Sequence, residues 1–548
     1  MKKIFFIQLF LLIINGLIIA QRQNYSQVQQ ANNEFEKFNA AFSYINMYYV
    51  EAINNSELVE EAIKAMLLKL DPHSTYTNAE ETRKMNEPLE SNFDGIGIQF
   101  DMLLDTLYIT QVIAGGPSER VGLLPGDRII MVNDTLIAGV HMTNPDVIKL
   151  IRGKKGTQVR IKVKRTPSTG MVDKSTGLPS LLEFLIIRDR IPIYSIDASY
   201  MADSTTGYIR LSRFAASTIN EFKSAISELQ QKGMKNLILD LQENGGGLLH
   251  ISYVLANQFL AENKLIVYTQ GDRIKRSNAY SSEGGLFKEG KLVVLINEWS
   301  ASASEIVAGA IQDWDRGVIV GRRSFGKGLV QRSLELPDSS MIRLTIARYY
   351  TPSGRNIQKP YEKGNAEAYR HDIADRYKKG ELTSAESINF PDSLKFKTLV
   401  FERIVYGGGG IMPDLFIPID TNRISDYHTK LRRANLINLI SMSYVDKNRK
   451  ELNNKYPNID IFNASFFVKE NLLQELKKLA DEKLIEFDEV QFDNSKEFIM
   501  LDLKAHIAGD LFNISAYYQI INEWNDSYRK ALQVINDDKQ YYKILTGK

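Results

Sequence analysis

The sequence predicts a multidomain α+β protein with an α/β core and helical regions at both ends of the chain. Three observations predict this class. The chain has 548 residues, which is enough for several domains with ample apolar core. Short β-branched runs alternate with amphipathic segments over residues 189–420, which is typical of an α/β core. Residues 21–86 and 421–548 instead carry apolar side chains at helical spacing, and residues 87–188 form a further domain before the core.

Composition excludes several classes of protein. Lysine and arginine total 68 against 66 aspartates and glutamates, so the near-neutral charge gives no reason to expect a nucleic-acid partner. The absence of cysteine excludes disulfides, thiolate metal sites and a lipidated N-terminal cysteine. The six histidines are scattered, and no cluster of His, Asp and Glu has metal-ligand spacing. We therefore expect neither a metal nor another cofactor.

The first twenty residues are typical of a secretory signal. Met1-Lys-Lys3 is a basic start, and Ile4–Ala20 is an apolar run that ends at a small residue. This pattern predicts a signal peptide over residues 1–20, with cleavage after Ala20. The alternative is an uncleaved anchor, because the run is only just long enough to span a bilayer. In both cases we expect the rest of the chain to be exported, with the periplasm as its compartment and inner-membrane contact only through an uncleaved N-terminal segment.

Residues 21–86 are predicted to be helical. Apolar side chains recur at helical spacing over Phe35–Tyr49 and again over Leu58–Leu70. Asp71-Pro-His-Ser-Thr-Tyr76 then breaks the helical pattern. His73 lies in this break and suggests a histidine base. Nothing nearby in the sequence pairs with it, so a structural turn is the favoured interpretation.

The stretch from Lys291 to Gln331 carries the candidate chemistry. A buried strand at 291–297 precedes a helix that begins near Ser302, and a second strand at 317–321 leads to Lys327 in a glycine-flanked loop. A serine hydroxyl needs a neighbouring base to become nucleophilic, and this stretch contains no histidine. The hypothesis is therefore a serine with a lysine base, which must be neutral. Burial would have to lower the lysine pKa well below its ordinary value of about 10.4.

Each of these residues also has an ordinary structural interpretation. Ser302-Ala-Ser-Glu305 fits the S-x-x-E capping box, which would explain the serine as a helix cap. A lysine such as Lys327 is most often a solvated surface charge. On the other side, Gly326 and Gly328 would let surrounding backbone close over the lysine, and a helix start directs N–H groups towards developing negative charge. Taken one at a time, the residues leave both interpretations open.

Two motifs in this stretch resemble those of a known family. They are Asn297-Glu-Trp-Ser-Ala-Ser-Ala-Ser-Glu-Ile-Val-Ala-Gly-Ala310 and Ser324-Phe-Gly-Lys-Gly-Leu-Val-Gln331. Both resemble segments of the C-terminal processing peptidases, or tail-specific proteases, which are PDZ-containing serine peptidases of family S41. The resemblance covers roughly residues 45–420. It implies a ClpP/crotonase-like α/β peptidase core at 189–420, with a PDZ domain inserted before it.

The resemblance also implies roles for individual residues. Ser302 aligns with the nucleophile, Lys327 with the general base, and Gln331 with the residue that orients the lysine. The four-residue offset from Lys327 to Gln331 would put both on one face of an extended segment, which is consistent with that role. The implied reaction is acyl transfer to the serine followed by hydrolysis, with no cofactor. We therefore expect an exported serine endopeptidase that cuts proteins near their C-termini.

A glycine-rich loop supplies the candidate oxyanion hole. Gln242-Glu-Asn-Gly-Gly-Gly247 follows a predicted strand and resembles the family's Asp-Leu-Arg-x-Asn-Pro-Gly-Gly turn. By this match, the N–H groups of Gly246 and Ala303 form the hole. Gln242 replaces the usual Arg and Gly245 replaces the usual Pro, so the match is imperfect. A simple tight turn would also explain three consecutive glycines.

Residues 87–188 resemble a PDZ domain. The strongest match is Gly122-Leu-Leu-Pro-Gly-Asp-Arg-Ile-Ile-Met-Val-Asn133. A peptide would add as a strand, and backbone N–H groups would hold its terminal carboxylate. The loop in the carboxylate-binding position consists of Gly95, Ile96, Gly97 and Ile98. Asp94 beside it would repel such a ligand unless its carboxylate points away, and a PDZ domain that binds no tail is the alternative. Thr166–Pro179 is interpreted as an exposed hairpin insertion.

Two functions from other classes compete with the peptidase. Gly321-Arg-Arg-Ser-Phe-Gly-Lys327 matches the start of a nucleotide P-loop, but Gly328 stands where Ser or Thr is required and a strand follows where a helix is required. The second competitor is a non-catalytic PDZ scaffold on an inactive peptidase fold. The joint presence of Ser302, Lys327 and Gln331 argues against it, because an inert fold would not require all three.

Several features remain open. The expected partners are proteins or peptides with a free C-terminus, and a homo-oligomer is left open. Residues 359–400 are charged and are interpreted as an inserted surface arm. Residues 421–548 fall outside the core match and are predicted to be helical, with no assigned chemistry. Packing on the peptidase, binding of a partner and dimerisation are all open for them.

Overall fold

The computed structural model describes residues 29–30, 32–103, 105–165, 181–421 and 423–548. The predicted signal peptide at 1–20 lies outside these residues, and so does the predicted hairpin insertion at 166–179. The chain divides into a unit that ends at Leu67 and a unit that runs from Leu68 to Lys548. Within the described ranges, no helix is long and apolar enough to cross a membrane.

The first unit is helical, as predicted for the N-terminal region. Helix α1 covers residues 32–48, and α2 covers Asn55–Leu68. Helix α2 contains no proline or glycine, and Glu57 in its first turn complements the positive end of the helix dipole. Its last residue is the first residue of the second unit.

The second unit contains all the described strands and the other described helices. The strands are β1 (Thr75–Thr77), β2 (Asn92–Gly95), β3 (Ile98–Leu103), β4 (Thr106–Val112), β5 (Arg128–Val132), β6 (Thr135–Leu136), β7 (Gln158–Lys164), β8 (Leu182–Ile187), β9 (Asp189–Pro192), β10 (Ile196–Met201), β11 (Thr206–Leu211), β12 (Asn236–Asp240), β13 (Leu265–Gln270), β14 (Ser277–Tyr280), β15 (Leu292–Ile296), β16 (Val318–Gly321), β17 (Leu329–Glu335), β18 (Met341–Tyr350), β19 (Lys395–Lys397), β20 (Ile404–Tyr406) and β21 (Leu415–Phe416).

The helices of the second unit are α3 (Ala79–Glu90), α4 (Pro117–Arg120), α5 (Asn144–Ile151), α6 (Thr218–Gln231), α7 (Leu249–Asn257), α8 (Ala303–Asp313), α9 (Ala366–Lys378), α10 (Asp426–Arg433), α11 (Leu436–Lys455), α12 (Ile459–Ser465), α13 (Glu470–Glu482), α14 (Glu489–Leu511), α15 (Ile514–Ile521), α16 (Asp526–Asn536) and α17 (Asp538–Thr546). Short 3₁₀ turns occur at Ala385–Ser387, Asp392–Leu394 and Asn522–Trp524.

The predicted PDZ domain is built on an antiparallel sheet of order β3-β4-β5-β7-β8, with β6 on β5. Its apolar core comes from alternate strand positions and from α5, as the period of two requires. A separate ladder pairs β2 with β9, which ties Asn92–Gly95 to Asp189–Pro192. This ladder crosses the predicted boundary at 188, and α3 crosses the predicted boundary at 87, so the limits of the domain stay a prediction.

The peptidase-like core contains a six-stranded sheet of order β10-β11-β12-β15-β16-β21. All its neighbours pair in parallel except β10, which is antiparallel to β11. Helices α6, α7 and α8 cover one face, where Phe222, Leu255 and Ile306 meet Leu239 and Val294 of the strands. A second sheet of order β1-β18-β13-β14, with β17 on β18, brings in residues 75–77 from the start of the unit.

The C-terminal region supplies the other face of the six-stranded sheet. Tyr528 and Val534 of α16 and Tyr541 of α17 pack on Val293 and Val318. A parallel sheet that is apolar on both faces must be covered on both, so these two helices complete the core. Of the roles left open for residues 421–548, the structure therefore establishes packing on the peptidase-like core.

Helices α10 to α15 form a further apolar cluster of their own, and α11 also contacts the predicted PDZ domain. Tyr108 of β4 is 1% exposed against Met442, which is fully buried. Arg128 of β5 forms an ion pair with the largely buried Asp446, and Asn438 donates to Asp101 at 2.7 Å. The C-terminal region therefore contacts both the core sheet and the outer face of the β3-β4-β5 sheet.

Two adjacent tyrosines in α17 test the structural role of this helix. Tyr541 is 2% exposed, and its hydroxyl bonds to the N–H and carbonyl of Leu292 at 3.1 Å each, whereas Tyr542 is 53% exposed. Tyr541→Ala should cost about 3–5 kcal/mol, because it opens a cavity and leaves buried polar groups unpaired. Tyr542→Ala should have little effect on stability. The midpoint of thermal unfolding, followed by far-UV circular dichroism, measures both. Equal shifts in the two variants would contradict the assignment.

Candidate active site

Ser302 lies at the sharp turn between β15 and α8. The turn is closed by Ser300, whose hydroxyl accepts the Asn297 N–H at 2.9 Å and donates to the Leu241 carbonyl at 2.8 Å. Ser302 itself has φ +58° and ψ −111°, a conformation that L-residues rarely adopt. A helix cap normally has extended backbone with negative φ. Ser302 therefore resembles the strained serine of a strand-turn-helix elbow, which presents its hydroxyl, more than an ordinary cap.

One buried carboxylate joins this turn to the loop that carries Lys327. Glu305, in the first turn of α8, is 1% exposed. Its Oε2 accepts the N–H of Ser302 at 2.8 Å and the N–H of Lys327 at 2.9 Å. Its Oε1 accepts the Gly326 N–H at 2.7 Å and the Ser324 hydroxyl. Burial raises the pKa of Glu305, and these hydrogen bonds oppose that shift because they favour the ionised form.

Tyr349 makes a second link between the same two segments. Its buried hydroxyl contacts the carbonyl of Ser302 at 3.2 Å and the carbonyl of Lys327. The two candidate residues are thus held together through their backbones. Among the described contacts, no hydrogen bond joins the Ser302 hydroxyl directly to Lys327 Nζ. Catalytic hydrogen bonds often tighten only when substrate is bound, so this arrangement leaves the candidate roles as predictions.

The surroundings of the Lys327 side chain shift its pKa towards the neutral form. Burial lowers the pKa of Lys327, and the positive charge of Arg343 lowers it further. The carboxylates of Glu305 and Asp71 act in the opposite direction and favour the protonated form. Lys327 Nζ donates to Gln331 Oε1 at 2.9 Å. The structure therefore brings Lys327 and Gln331 together, four residues apart on either side of the start of β17.

Gln331 is held in turn by the segment that precedes the PDZ domain. Its Nε2 donates to the carbonyl of His73. Asp71 Oδ1 accepts the N–H groups of His73 at 2.8 Å and Ser74 at 2.9 Å, which is the turn that the sequence predicts. Burial, with the charge of Lys327, lowers the pKa of His73 to about 4, so the imidazole is neutral near pH 7. Although His73 lies in a structural turn, its backbone also contributes to the candidate site.

The predicted oxyanion residues meet at the end of β12. A Cβ added to Gly246, which has φ +101°, would lie 2.9 Å from Ser302 Cβ and 3.0 Å from the Ala303 nitrogen, so only glycine fits. In this structure the Gly246 N–H donates to Asn244 Oδ1 at 2.9 Å. The role predicted for that N–H therefore requires Asn244 to release it. Gln242, at the position of the family's Arg, accepts instead from Asn525 of the C-terminal region at 2.9 Å.

The predicted carboxylate-binding loop lies between β2 and β3. Ile96 and Ile98 are buried in the domain core, and Gly97 has φ +77°. Among the described strands, β3 has a neighbour on one side only, which leaves its other edge open for an added strand. The Asp94 carboxylate accepts the Lys155 N–H at 3.0 Å, so it already has a hydrogen-bond partner within the domain.

Two other interpretations of the sequence can be compared with the structure. In the P-loop-like segment at 321–327, the N–H groups of Gly326 and Lys327 donate to Glu305. Those of Arg322, Ser324 and Phe325 donate to backbone carbonyls, so these five N–H groups already have partners within the chain, and the strand β17 follows. The segment 359–400 is more than a surface arm. Arg376 of its helix α9 is 2% exposed and donates to the carbonyls of Arg323 at 2.7 Å and Ser324 at 3.1 Å.

Sequence reasoning missed several residues of the site. In the sequence, Glu305 was identifiable only as part of a capping box. Its carboxylate does accept the Ser302 N–H, as a capping box predicts. Its second role, at Gly326 and Lys327, depends on a loop more than twenty residues away. Tyr349 and Tyr369 carry no local signal at all, because they reach the site from a strand and a helix that follow it in the chain.

Comparison with known proteins identifies similar families along the chain. A profile of peptidase family S41 matches residues 205–364, and a PDZ-domain profile matches residues 108–165. Residues 17–82 match the N-terminal domain of the activating protease CtpB. Residues 427–513 match a family of unknown function.

Several individual proteins similar to this chain are named as C-terminal processing proteases. The carboxy-terminal-processing protease of Bartonella bacilliformis is 34% identical over 362 residues, which are 65% of this chain and 80% of that protein. The carboxy-terminal processing protease CtpA of Bacillus subtilis is 33% identical over 387 residues, or 68% of this chain and 78% of that protein. Among solved structures, the photosystem II D1 C-terminal processing protease has 28% identity and a TM-score of 0.33, over 59% of this chain and 83% of that chain.

Glu305→Gln tests the link between turn and loop. In glutamine an NH₂ group replaces one of the two carboxylate oxygens. This NH₂ group, itself a hydrogen-bond donor, would then face two donors that the oxygen of Glu305 accepted. We expect a cost of about 1–3 kcal/mol and faster hydrogen exchange at Gly326 and Lys327. Glu221→Gln is the matched control, because Glu221 likewise accepts backbone N–H groups, those of Ser195 at 2.8 Å and Ile196 at 3.0 Å, away from this loop. Unchanged exchange in the loop of Glu305→Gln would refute the link.

Proposed function

This chain is a carboxy-terminal processing protease of peptidase family S41 with a PDZ domain, and we propose that it is an exported serine endopeptidase with a Ser-Lys catalytic pair. Ser302 is the nucleophile, Lys327 is the general base, and Gln331 orients the lysine. The observation that carries this proposal is the bridge of Glu305 between the backbones of Ser302 and Lys327. This bridge supports the proposal because it joins the backbone of a strained serine to that of a partly buried lysine.

The proposed reaction has two stages. In the first, neutral Lys327 takes the proton of the Ser302 hydroxyl as the oxygen attacks the scissile carbonyl, and the tetrahedral intermediate collapses to an acyl-enzyme. The protonated lysine gives that proton to the departing amine. In the second stage, Lys327 takes a proton from water, hydroxide adds to the ester carbonyl, and Ser302 leaves with the proton returned. Gln331 keeps Nζ directed by accepting one of its hydrogens at 2.9 Å.

The negative charge on the carbonyl oxygen needs donors during both stages. The first N–H groups of a helix have no intrahelical partner, and they lie at the positive end of the dipole. The Ala303 N–H, first in α8, is the proposed principal donor. The N–H of Gly246 is the second, once Asn244 no longer occupies it. Donors placed in advance of the reaction stabilise the oxyanion without further reorganisation.

We propose that the PDZ domain selects substrates by their free C-terminus. The open edge of β3 supports addition of a peptide strand, and the Gly95–Ile98 loop at its start would hold the terminal carboxylate. Export is proposed from the basic and apolar pattern of residues 1–20, with the periplasm as the compartment. The homo-oligomer stays a prediction.

The function is tested with one unstructured peptide that carries either a free or an amidated C-terminus. The intact protein should cut the free form much faster, because only that form offers a carboxylate to the PDZ loop. Ser302→Ala should abolish cutting. Lys327→Arg should abolish it too, because arginine keeps the charge but stays protonated and cannot act as a base. Product formation is followed by mass spectrometry.

Each outcome separates one part of the proposal from another. Equal cutting of both peptides would leave a peptidase whose PDZ domain does not select tails. Cutting by Ser302→Ala at the wild-type rate would refute the nucleophile. If the intact protein bound the free C-terminus but never cut it, the competing function, a non-catalytic PDZ scaffold, would hold instead.

The pH dependence of the reaction tests the role of Lys327. Only the neutral lysine acts as a base, so kcat/KM should rise with pH through the pKa of Lys327. Arg343 lowers that pKa, and Arg343→Gln should therefore raise it and move the rise in activity to higher pH. At the pH of the wild-type half-maximum, the variant should lose activity several-fold. Arg348→Gln, an exposed arginine on the same strand, should leave the profile unchanged. An unshifted Arg343→Gln profile would argue against Lys327 as the titrating base.

A further inference from the structure

A ring of hydrogen bonds surrounds the loop of Lys327. Some of its members, Gln358 and Tyr369, have no role in the proposed reaction. One arm runs from Lys327 Nζ to Gln331 Oε1 at 2.9 Å, and from Gln331 Nε2 to the His73 carbonyl. The other arm starts at the Gly328 N–H, which donates to Gln358 Oε1 at 2.9 Å. Both arms end at the hydroxyl of Tyr369.

The first arm determines which way the Gln331 amide points. A glutamine amide has an accepting oxygen at one end and a donating nitrogen at the other, and these ends can exchange by rotation. The His73 carbonyl can only accept, so it must face Nε2. Oε1 then faces Lys327. The lysine amine can donate a hydrogen bond to this oxygen whether it is protonated or neutral. The position of one backbone carbonyl therefore decides how Gln331 meets the base.

Tyr369 holds the residue that carries this carbonyl. Its hydroxyl lies 2.8 Å from His73 Nε2, and the two rings pack edge to face with centroids 4.8 Å apart. Because Gln358 Nε2 donates to the same hydroxyl at 3.2 Å, the hydroxyl proton is free to donate to His73. A neutral imidazole can accept it at Nε2. Tyr369 is thus bonded to both arms at once.

Tyr369 is also built into the site rather than lying on the surface. It is 7% exposed, and its ring contacts Phe325 of the lysine loop and the ammonium of Lys359, 4.0 Å from the ring centroid. It lies on α9, beyond residue 364, where the match to the family S41 profile ends.

We propose that Tyr369 is a positioning residue, which orients Lys327 by holding both the segment behind Gln331 and the backbone of the lysine loop. This inference rests on the proposed function, in which Lys327 is the general base. The Tyr369 hydroxyl has no described hydrogen bond to Ser302 or to Lys327 Nζ, so the hydroxyl acts through its two hydrogen-bonded neighbours, His73 and Gln358. Misplacement of a catalytic group by as little as about 1 Å can cost on the order of 100-fold in rate.

Tyr369→Phe is the decisive variant, because it removes the hydroxyl and keeps the ring. We expect kcat to fall about 10- to 100-fold with KM nearly unchanged, since substrate contacts are untouched. His73→Phe removes the same hydrogen bond from the other side but keeps the backbone carbonyl, and it should give a similar fall in kcat. Tyr377→Phe is the control, because Tyr377 lies on the same helix and is 51% exposed. It should behave as wild type.

A double variant distinguishes positioning from general destabilisation. If Tyr369 acts through Gln331, Tyr369→Phe should cause much less further loss of kcat in a Gln331→Ala background than in wild type. A full, additive loss in that background would overturn the first arm, and wild-type kcat in both Tyr369→Phe and His73→Phe would overturn the proposal. A change in KM alone would overturn it as well. If Ser302→Ala retained activity, the proposed function itself would have failed, which is a different result.

Discussion

The structure of the site depends on the buried carboxylate of Glu305. A charged group without solvent is costly unless several donors satisfy it, and here the donors come from two separate segments. The Ser302 N–H comes from the start of α8, and the N–H groups of Gly326 and Lys327 come from the loop after β16. Satisfying one carboxylate therefore fixes the relative position of the proposed nucleophile and base. The strained backbone of Ser302 is tolerated because the surrounding hydrogen bonds determine its conformation.

The remaining architecture supports this arrangement from a distance. The six-stranded sheet carries the Ser302 turn and the glycine loop at the carboxyl ends of neighbouring strands, where sites of α/β proteins are usually formed. Its second face is covered by α16 and α17, so the last part of the chain belongs to the core. The same C-terminal region contacts the PDZ domain through Asp446 and Met442. One helical region thus packs on both the protease sheet and the domain proposed to select substrates.

The proposed base is positioned by segments that are far apart in sequence. Gln331 follows it by four residues, His73 precedes it by more than two hundred, and Tyr369 lies on a helix after the matched peptidase region. Burial and the charge of Arg343 both favour a neutral Lys327, while Glu305 opposes them. The lysine is therefore tuned by competing contributions from several elements, and its orientation depends on a chain of hydrogen bonds.

The sequence alone was enough to predict the multidomain α+β class, the helical ends and the S41 family. The class and the helical ends follow from local periodicity, and the family follows from the resemblance of its motifs. The roles of Ser302, Lys327 and Gln331 stay predictions, although Lys327 and Gln331 do meet in the structure. The second role of Glu305, the engagement of Gly246 by Asn244 and the covering of the sheet by α16 and α17 could not be predicted in this way. They depend on which distant backbone groups meet in the folded chain. Burial and hydrogen-bond partners arise only when those segments pack, so tertiary structure alone decided them.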